Sequence, residues 1–158
     1  MSIRQKEGLE QITSVLAGDA SPETLITNEC GVRYHVDVRN GHKTDFYVDQ
    51  RDNRVLVQQH AQGHAVLNCF YYTGGFSLAA LKGGAARVVS VDSSGDALSR
   101  ANVKANGFDE SKAEWLDADA FKTLRRLYDE DQRFDLIVAR SAEVRAIEGK
   151  RGSRGARV

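Results

Sequence analysis

The chain has 158 residues, 41% hydrophobic and 28% charged, and carries 22 basic against 22 acidic side chains. That composition suits one globular domain with a real core and excludes a disordered chain. Two cysteines, Cys30 and Cys69, are too few for a disulfide framework, no apolar run approaches the ~20 residues of a membrane span, and residues 2–8 are too polar for a signal peptide. The expectation is a cytoplasmic protein. The charge is uneven. Residues 139–158 hold six basic side chains and two acidic ones, which makes that stretch +4 and leaves −4 on residues 1–138.

Residues 1–30 give no clean periodicity, since Gly8 and Gly18 interrupt the spacing of Leu9, Ile12 and Leu16; an irregular linker is expected there. Val32, Tyr34, Val36 and Val38 then alternate with polar residues, the signature of a half-buried strand. Asn40-Gly41 is a strong hairpin turn, and Thr44, Phe46 and Val48 alternate on an expected return strand. Asp52 can cap a helix reaching about His60, with Gly63 beyond it, so residues 31–62 read as a hairpin plus a connecting helix. Cys30-Gly31 reads as a turn without chemistry.

From residue 63 strands and helices alternate. A strand at 65–70 feeds a helix at 75–82 that Gly83-Gly84 stops, and a strand at 87–92 feeds a helix reaching about Ala105, with Leu98, Ala101 and Ala105 on one face. A short strand at Glu114-Trp-Leu116 precedes a helix over 120–129, with Phe121, Leu124 and Tyr128 expected inward, and residues 134–138 form a fourth strand. Such alternation implies a parallel sheet with right-handed crossovers, in the order 3-2-1-4.

The run Val66-Leu-Asn-Cys-Phe-Tyr-Tyr-Thr-Gly-Gly-Phe76 followed by Val88-Val-Ser-Val-Asp92 carries the chemistry. A bare turn between strand and helix lets a ligand approach the backbone, and an acid ending the next strand accepts bonds from ribose hydroxyls. Asp92 lies 17 residues after Gly75, near the ~20 expected for such an acid. A Gly-Gly pair there can also be no more than a tight connection. No full G-x-G-x-x-G is present, which argues for a nucleoside ligand without a pyrophosphate and against a nicotinamide-dependent oxidoreductase domain. Asp117 or Asp119 could accept an adenine amine, and Asp119 could equally cap a helix. His60 and His64 share a helical spacing but have Gly63 between them and no third ligand, so no metal is expected. Cys69 reads as a small core residue. Lys43, Tyr47, Asp49, Gln50 and Arg51 cluster near the expected end of the hairpin, where ordinary surface polarity is the plain alternative.

Together, Lys43-Thr-Asp-Phe-Tyr-Val-Asp-Gln-Arg-Asp-Asn-Arg54, Leu67-Asn-Cys-Phe-Tyr-Tyr-Thr-Gly-Gly-Phe76 and Val91-Asp92 resemble the bacterial cytosine-5 methyltransferases of large-subunit (23S) ribosomal RNA. The resemblance covers roughly residues 3–138. It implies a partial Rossmann-like class I methyltransferase sheet of about four parallel strands preceded by a β-hairpin. It implies S-adenosylmethionine as cofactor and ribosomal RNA as the parent family's partner, with no membrane and no metal. The turn of Thr73, Gly74 and Gly75 would then lie near the methionine end of the cofactor, Asp92 on the ribose and Asp119 near the adenine, with Gln50 and Arg51 bordering the pocket. The chain departs from the family's usual glycine at Asp45 and serine at Tyr71, and its helix after Asp92 is about two residues short. Family members begin with a small RNA-binding domain of the PUA type, and this chain starts where that domain has ended.

After its fourth strand the family continues Leu-Asp-Pro-Pro-Lys-Phe, its catalytic loop, whereas residues 139–144 here read Ala-Arg-Ser-Ala-Glu-Val. Written as GCT CGA TCC GCC GAA GTT C, these residues give the family loop when read one base later. Residues 139–158 are therefore expected to be an out-of-frame tail, and residues 63–138 the first half of a cofactor-binding domain. On this reading the chain keeps most of the cofactor pocket and lacks the catalytic loop and nucleophile. Strand 134–138 is left as an apolar edge inviting self-association. The alternative from another class is a non-catalytic RNA- or partner-binding remnant using the hairpin and the basic tail.

Overall fold

The computed structural model describes residues 15, 17–39, 46–93, 97–139, 144–145 and 156–157. Two strands open it, β1 (Thr24–Glu29) and β2 (Val32–Asp37), paired antiparallel with Glu29 opposite Val32. The two-residue connection has Cys30 at φ 50° and Gly31 at φ 78°, so both turn residues are left-handed, as the tightest right-twisted hairpins require. The hairpin therefore precedes the expected one. Its first strand comes from residues with no visible periodicity, and β1 is correspondingly exposed at four of its six positions. The expected Asn40-Gly41 turn lies outside the described residues. Of the expected return strand, residues 46 and 47 are irregular, and Val48–Gln50 form a 3-10 turn leading into helix α1 (Arg51–His60).

Strand β3 (Ala65–Cys69), helix α2 (Gly75–Lys82), strand β4 (Arg87–Asp92), helix α3 (Ala97–Ala105), strand β5 (Ala113–Asp117) and helix α4 (Ala120–Asp129) follow in strict alternation. The fourth strand is broken into β6 (Arg133–Phe134) and β7 (Leu136–Val138). At the break the Asp135 N–H donates to the Ala65 carbonyl (2.8 Å), and its carboxylate accepts from the Ala65 N–H (2.9 Å). The sheet order is β5-β4-β3-β7, parallel throughout, as the alternation predicts. The outer edge of β7 is not bare, contrary to expectation. A two-residue strand, β8 (Val144–Arg145), pairs with it antiparallel, and β9 (Ala156–Arg157) pairs with β6.

Both sheet faces are covered, which is why its strands are runs of Val and Leu rather than alternations. One face, with Val66, Val88, Leu136 and Val138, packs against Val57 of α1, Leu78 of α2, Val103 of α3 and the hairpin's Val32, Tyr34 and Val36. The other, with Leu67, Cys69, Val89 and Val91, packs against Ala120 and Leu127 of α4 and against Phe134. Inside the first layer the Asn68 amide donates to Ser77 Oγ (2.8 Å), which lies 2.8 Å from Ser90 Oγ, so the first turn of α2 is pinned to β3 and β4 by a satisfied polar chain.

Two helix faces differ from expectation. On α4 the buried positions are Ala120, Thr123 and Leu127, while Phe121 (67% exposed) and Tyr128 (53%) face outward. On α3 the buried residues are Ser99, Asn102 and Val103; Ala101 is exposed, Ala105 is half-buried, and the Leu98 side chain lies outside the described residues. The cause is polar. The Asn102 carboxamide accepts from His35 N–H (2.8 Å), and the Asn106 carboxamide accepts from Arg33 N–H (2.8 Å) while donating to its carbonyl (2.7 Å). Two asparagines four residues apart thus pair with the outer edge of β2 as a neighbouring strand would.

Candidate functional site

The C-terminal ends of β3, β4 and β5 lie side by side at one end of the parallel sheet, the end at which open α/β sheets bind ligands. The β3–α2 turn is tightly wound: Phe70 (φ 62°), Tyr72 (φ 51°) and Gly74 (φ 78°) are all left-handed. It is tied to β4 by Phe70 N–H donating to the Val91 carbonyl (2.7 Å) and by Tyr72 N–H donating to Asp92 Oδ2 (3.0 Å). Gly74 N–H donates to the Tyr71 carbonyl (2.8 Å), and Leu78 N–H returns to the Gly74 carbonyl (2.9 Å) as the first helical bond of α2.

Gly74 has a second reason to be glycine. A Cβ there would lie 2.9 Å from Trp115 Cη2 and 3.0 Å from Ser99 Oγ, so the turn is seated directly on β5 and α3. The Ser99 hydroxyl is fully buried and has no partner among the described residues. At Gly75 the nearest atom to a Cβ would be Arg54 Cδ at 3.4 Å, ordinary contact.

Thr73, Gly74, Gly75 and Asp92 are thus brought together. Gln50 and Arg51 are less engaged. Gln50 accepts from the Asn53 amide (2.9 Å), its own amide lies 3.4 Å from Asp49 Oδ2, and Arg51 is exposed. Their segment reaches the turn through two other residues, Tyr47, whose ring meets that of Tyr72 edge-on at 5.6 Å, and Arg54. Arg54 is buried. Its guanidinium donates to both oxygens of Glu29 (2.6 and 2.8 Å) and to the Tyr47 carbonyl (2.9 Å), and it lies 4.5 Å over the Phe46 ring. An arginine among five other charged residues at 43–54 gives no sequence signal of burial; only its partner, Glu29 on the unforeseen strand, reveals it.

Asp119 caps α4, its Oδ1 accepting from Lys122 N–H (2.9 Å). Asp117 accepts from the Tyr71 hydroxyl (2.8 Å) and from Arg100 Nη2 (3.0 Å). Arg100 first, and Tyr71 second, hold the Asp117 carboxyl below the usual carboxylate range, while burial and then Asp117 push the Tyr71 phenol up. His64 Nδ1 lies 2.7 Å from the His60 carbonyl and donates to it. Among the described residues no cluster of three or more His, Cys, Asp or Glu could hold a metal, and no helix is long and apolar enough to cross a membrane.

The first turn of α2 has N–H groups with no carbonyl a turn earlier, which suit a carboxylate; Asp92 suits a ribose diol. An amino-acid nucleoside has both ends. The family profile for S-adenosylmethionine-dependent methyltransferases matches residues 5–146. The chain belongs to that family. Curated relatives named ribosomal RNA large subunit methyltransferase I are 51% identical over 140 residues in Erwinia tasmaniensis and 48% in Aeromonas salmonicida. In each case the match covers 87% of this chain and 35% of the relative, so the chain spans about a third of their length. Among solved structures, a SAM-dependent methyltransferase from Agrobacterium tumefaciens has a TM-score of 0.69 at 26% identity, over 75% of this chain and 40% of its own. Another methyltransferase, solved in complex with SAH, has a TM-score of 0.73 at 34% identity, over 83% of this chain and 37% of its own. The fold and cofactor class read from the sequence are those of the family, and the nicotinamide alternative falls away.

Proposed function

We propose that the turn at Thr73, Gly74 and Gly75, with Asp92, holds S-adenosylmethionine, and that the whole enzyme methylates C5 of a cytosine in large-subunit ribosomal RNA. The observation that carries the cofactor half is the placement of the Asp92 carboxylate at the end of β4, 3.0 Å from the backbone of the glycine turn. The ribose would lie on Asp92 and the amino-acid end on the first turn of α2, with Asp119 and the start of α4 toward the adenine. The names of the curated relatives support ribosomal RNA as substrate, and the resemblance supports cytosine C5.

The bound cofactor supplies an electrophilic methyl group. Cytosine C5 is a poor nucleophile, and enzymes of the resembled family first add a cysteine thiolate to C6. Neither cysteine here is suited to that task. Cys69 lies in β3 at 3% exposure, and burial pushes its thiol up to about 11, which keeps it protonated at neutral pH. Cys30 sits in the β1–β2 turn, outside the site. The 158 residues are therefore read as a cofactor-binding half without methyl transfer of its own. Incubation with labelled S-adenosylmethionine and deproteinised ribosomal RNA should give no 5-methylcytosine, and clear turnover by this chain would refute that part of the reading.

A further inference from the structure

We propose that Tyr71 is a positioning residue of this site: its hydroxyl, held by Asp117 and through it by Arg100, fixes the turn at residues 70–74 in the backbone shape that receives the cofactor. This rests on the reading of that turn as the cofactor site.

Two of the five turn residues are aromatic and left-handed, a conformation that persists only where surrounding contacts over-determine it. The bonds from Phe70 to the Val91 carbonyl and from Tyr72 to Asp92 fasten the turn to β4. Tyr71 supplies the second anchor. It is 4% exposed, its ring meets Trp115 edge-on at 5.0 Å, and its hydroxyl reaches the end of β5 to donate to Asp117 (2.8 Å). Arg100 of α3 bonds the other Asp117 oxygen (3.0 Å), so one carboxylate joins the turn, β5 and the helix that precedes it, α3. The two anchors, Asp92 and Asp117, stand opposite each other in register on adjacent strands. These are the strand ends on either side of the expected adenosine. A serine, the residue the resemblance leads one to expect here, lacks a ring's length and cannot reach Asp117 from the same backbone. The clamp is therefore built by this chain's own tyrosine.

A turn already in the receiving shape binds without an ordering cost, and apparent affinity falls in proportion to the fraction of molecules that hold that shape. Tyr71→Phe keeps the ring on Trp115 and removes only the anchor. If the competent fraction drops to about 0.1–0.2, affinity falls about five- to tenfold. The experiment measures S-adenosylhomocysteine affinity, thermal midpoint and amide exchange at Tyr72 and Gly74 for wild type, Tyr71→Phe, Asp117→Ala and Asp117→Asn. Expected are weaker binding and faster exchange in Tyr71→Phe and Asp117→Ala, with midpoints within a few degrees of wild type. Asp117→Asn, which keeps an acceptor for the hydroxyl, should stay near wild type in both. Unchanged affinity in Tyr71→Phe overturns the proposal, as does a parallel fall of affinity and midpoint across all three variants, which would mark a purely structural role. If the wild type binds no S-adenosylhomocysteine, the cofactor reading itself fails. In that case unchanged exchange in the ligand-free variants overturns the clamp as well.

Discussion

Arg54→Ala should cost roughly half of this domain's stability. The Arg54 and Glu29 side chains are 5% and 11% exposed and meet through two N–H···O bonds, and the third arginine bond goes to the Tyr47 carbonyl. Removing one partner of such a pair strands the other charge away from water, which costs about 3–5 kcal/mol. Domains of this size have about 5–15 kcal/mol in total. The intact pair itself need contribute little net stability, because desolvation offsets most of the attraction. The double variant Glu29→Leu with Arg54→Met should therefore recover at least half of the loss seen in either single variant. Urea denaturation followed by circular dichroism measures all four proteins, with the denaturant slope checked for constancy. A loss below about 1 kcal/mol in Arg54→Ala would show that the pair behaves as a hydrated surface pair and that the hairpin is not docked as described.

Gly74→Ala should be damaging twice over, through its left-handed φ of 78° and through the approach of a Cβ to Trp115 at 2.9 Å. A combined cost of about 2–4 kcal/mol in thermal or chemical denaturation is expected, and a neutral result would contradict the seating of the turn. Thiol titration with an aromatic disulfide at pH 8 should find one fast-reacting cysteine, the exposed Cys30, and a second only after denaturation, since Cys69 is buried with its thiol pushed up to about 11. Two fast thiols would place β3 at the surface. Asp117 has its folded value lowered by Arg100 and then Tyr71, so its contribution is present above the ordinary carboxylate value of about 3.9 and is lost as pH falls from there through the folded value. The gap in thermal midpoint between wild type and Asp117→Ala should accordingly be constant near neutrality and close below about pH 4; a gap that widens in acid would reverse the assigned sign.

Elements bounded by strong punctuation were legible from residues alone. Helix α2 stops at Gly83-Gly84 and strand β4 is a valine run ending in Asp92, and both have the predicted bounds. Helix α4 also has its predicted bounds, yet of the residues expected inward Phe121 and Tyr128 are exposed and Leu124 is half-buried, whereas the helix turns Ala120, Thr123 and Leu127 to the sheet. On α3 the buried face follows Asn102, with Asn106 just past the helix end, since the open edge of β2 needs donors and acceptors more than apolar contact. Hydrophobic periodicity is blind to that demand. The same holds for β1, whose residues are mostly exposed and show no alternation, so the sequence pattern points to a hairpin one strand late. At the site, the turn and Asp92 were visible because glycine and a strand-ending acid are rare in those places. The roles of Arg54, Tyr71 and Asp117 depend on partners 17 to 46 residues away and cannot be read locally.

The central claim is tested most directly by calorimetric titration of the chain with S-adenosylhomocysteine, run in parallel on Asp92→Asn. That variant keeps an oxygen for the Tyr72 N–H and loses the charge that a ribose diol would meet. Saturable one-to-one binding by the wild type is expected, weakened in Asp92→Asn by about 10- to 100-fold, the range of a hydrogen bond to a charged group. Equal affinity in the two proteins, or no binding by the wild type, would contradict the account.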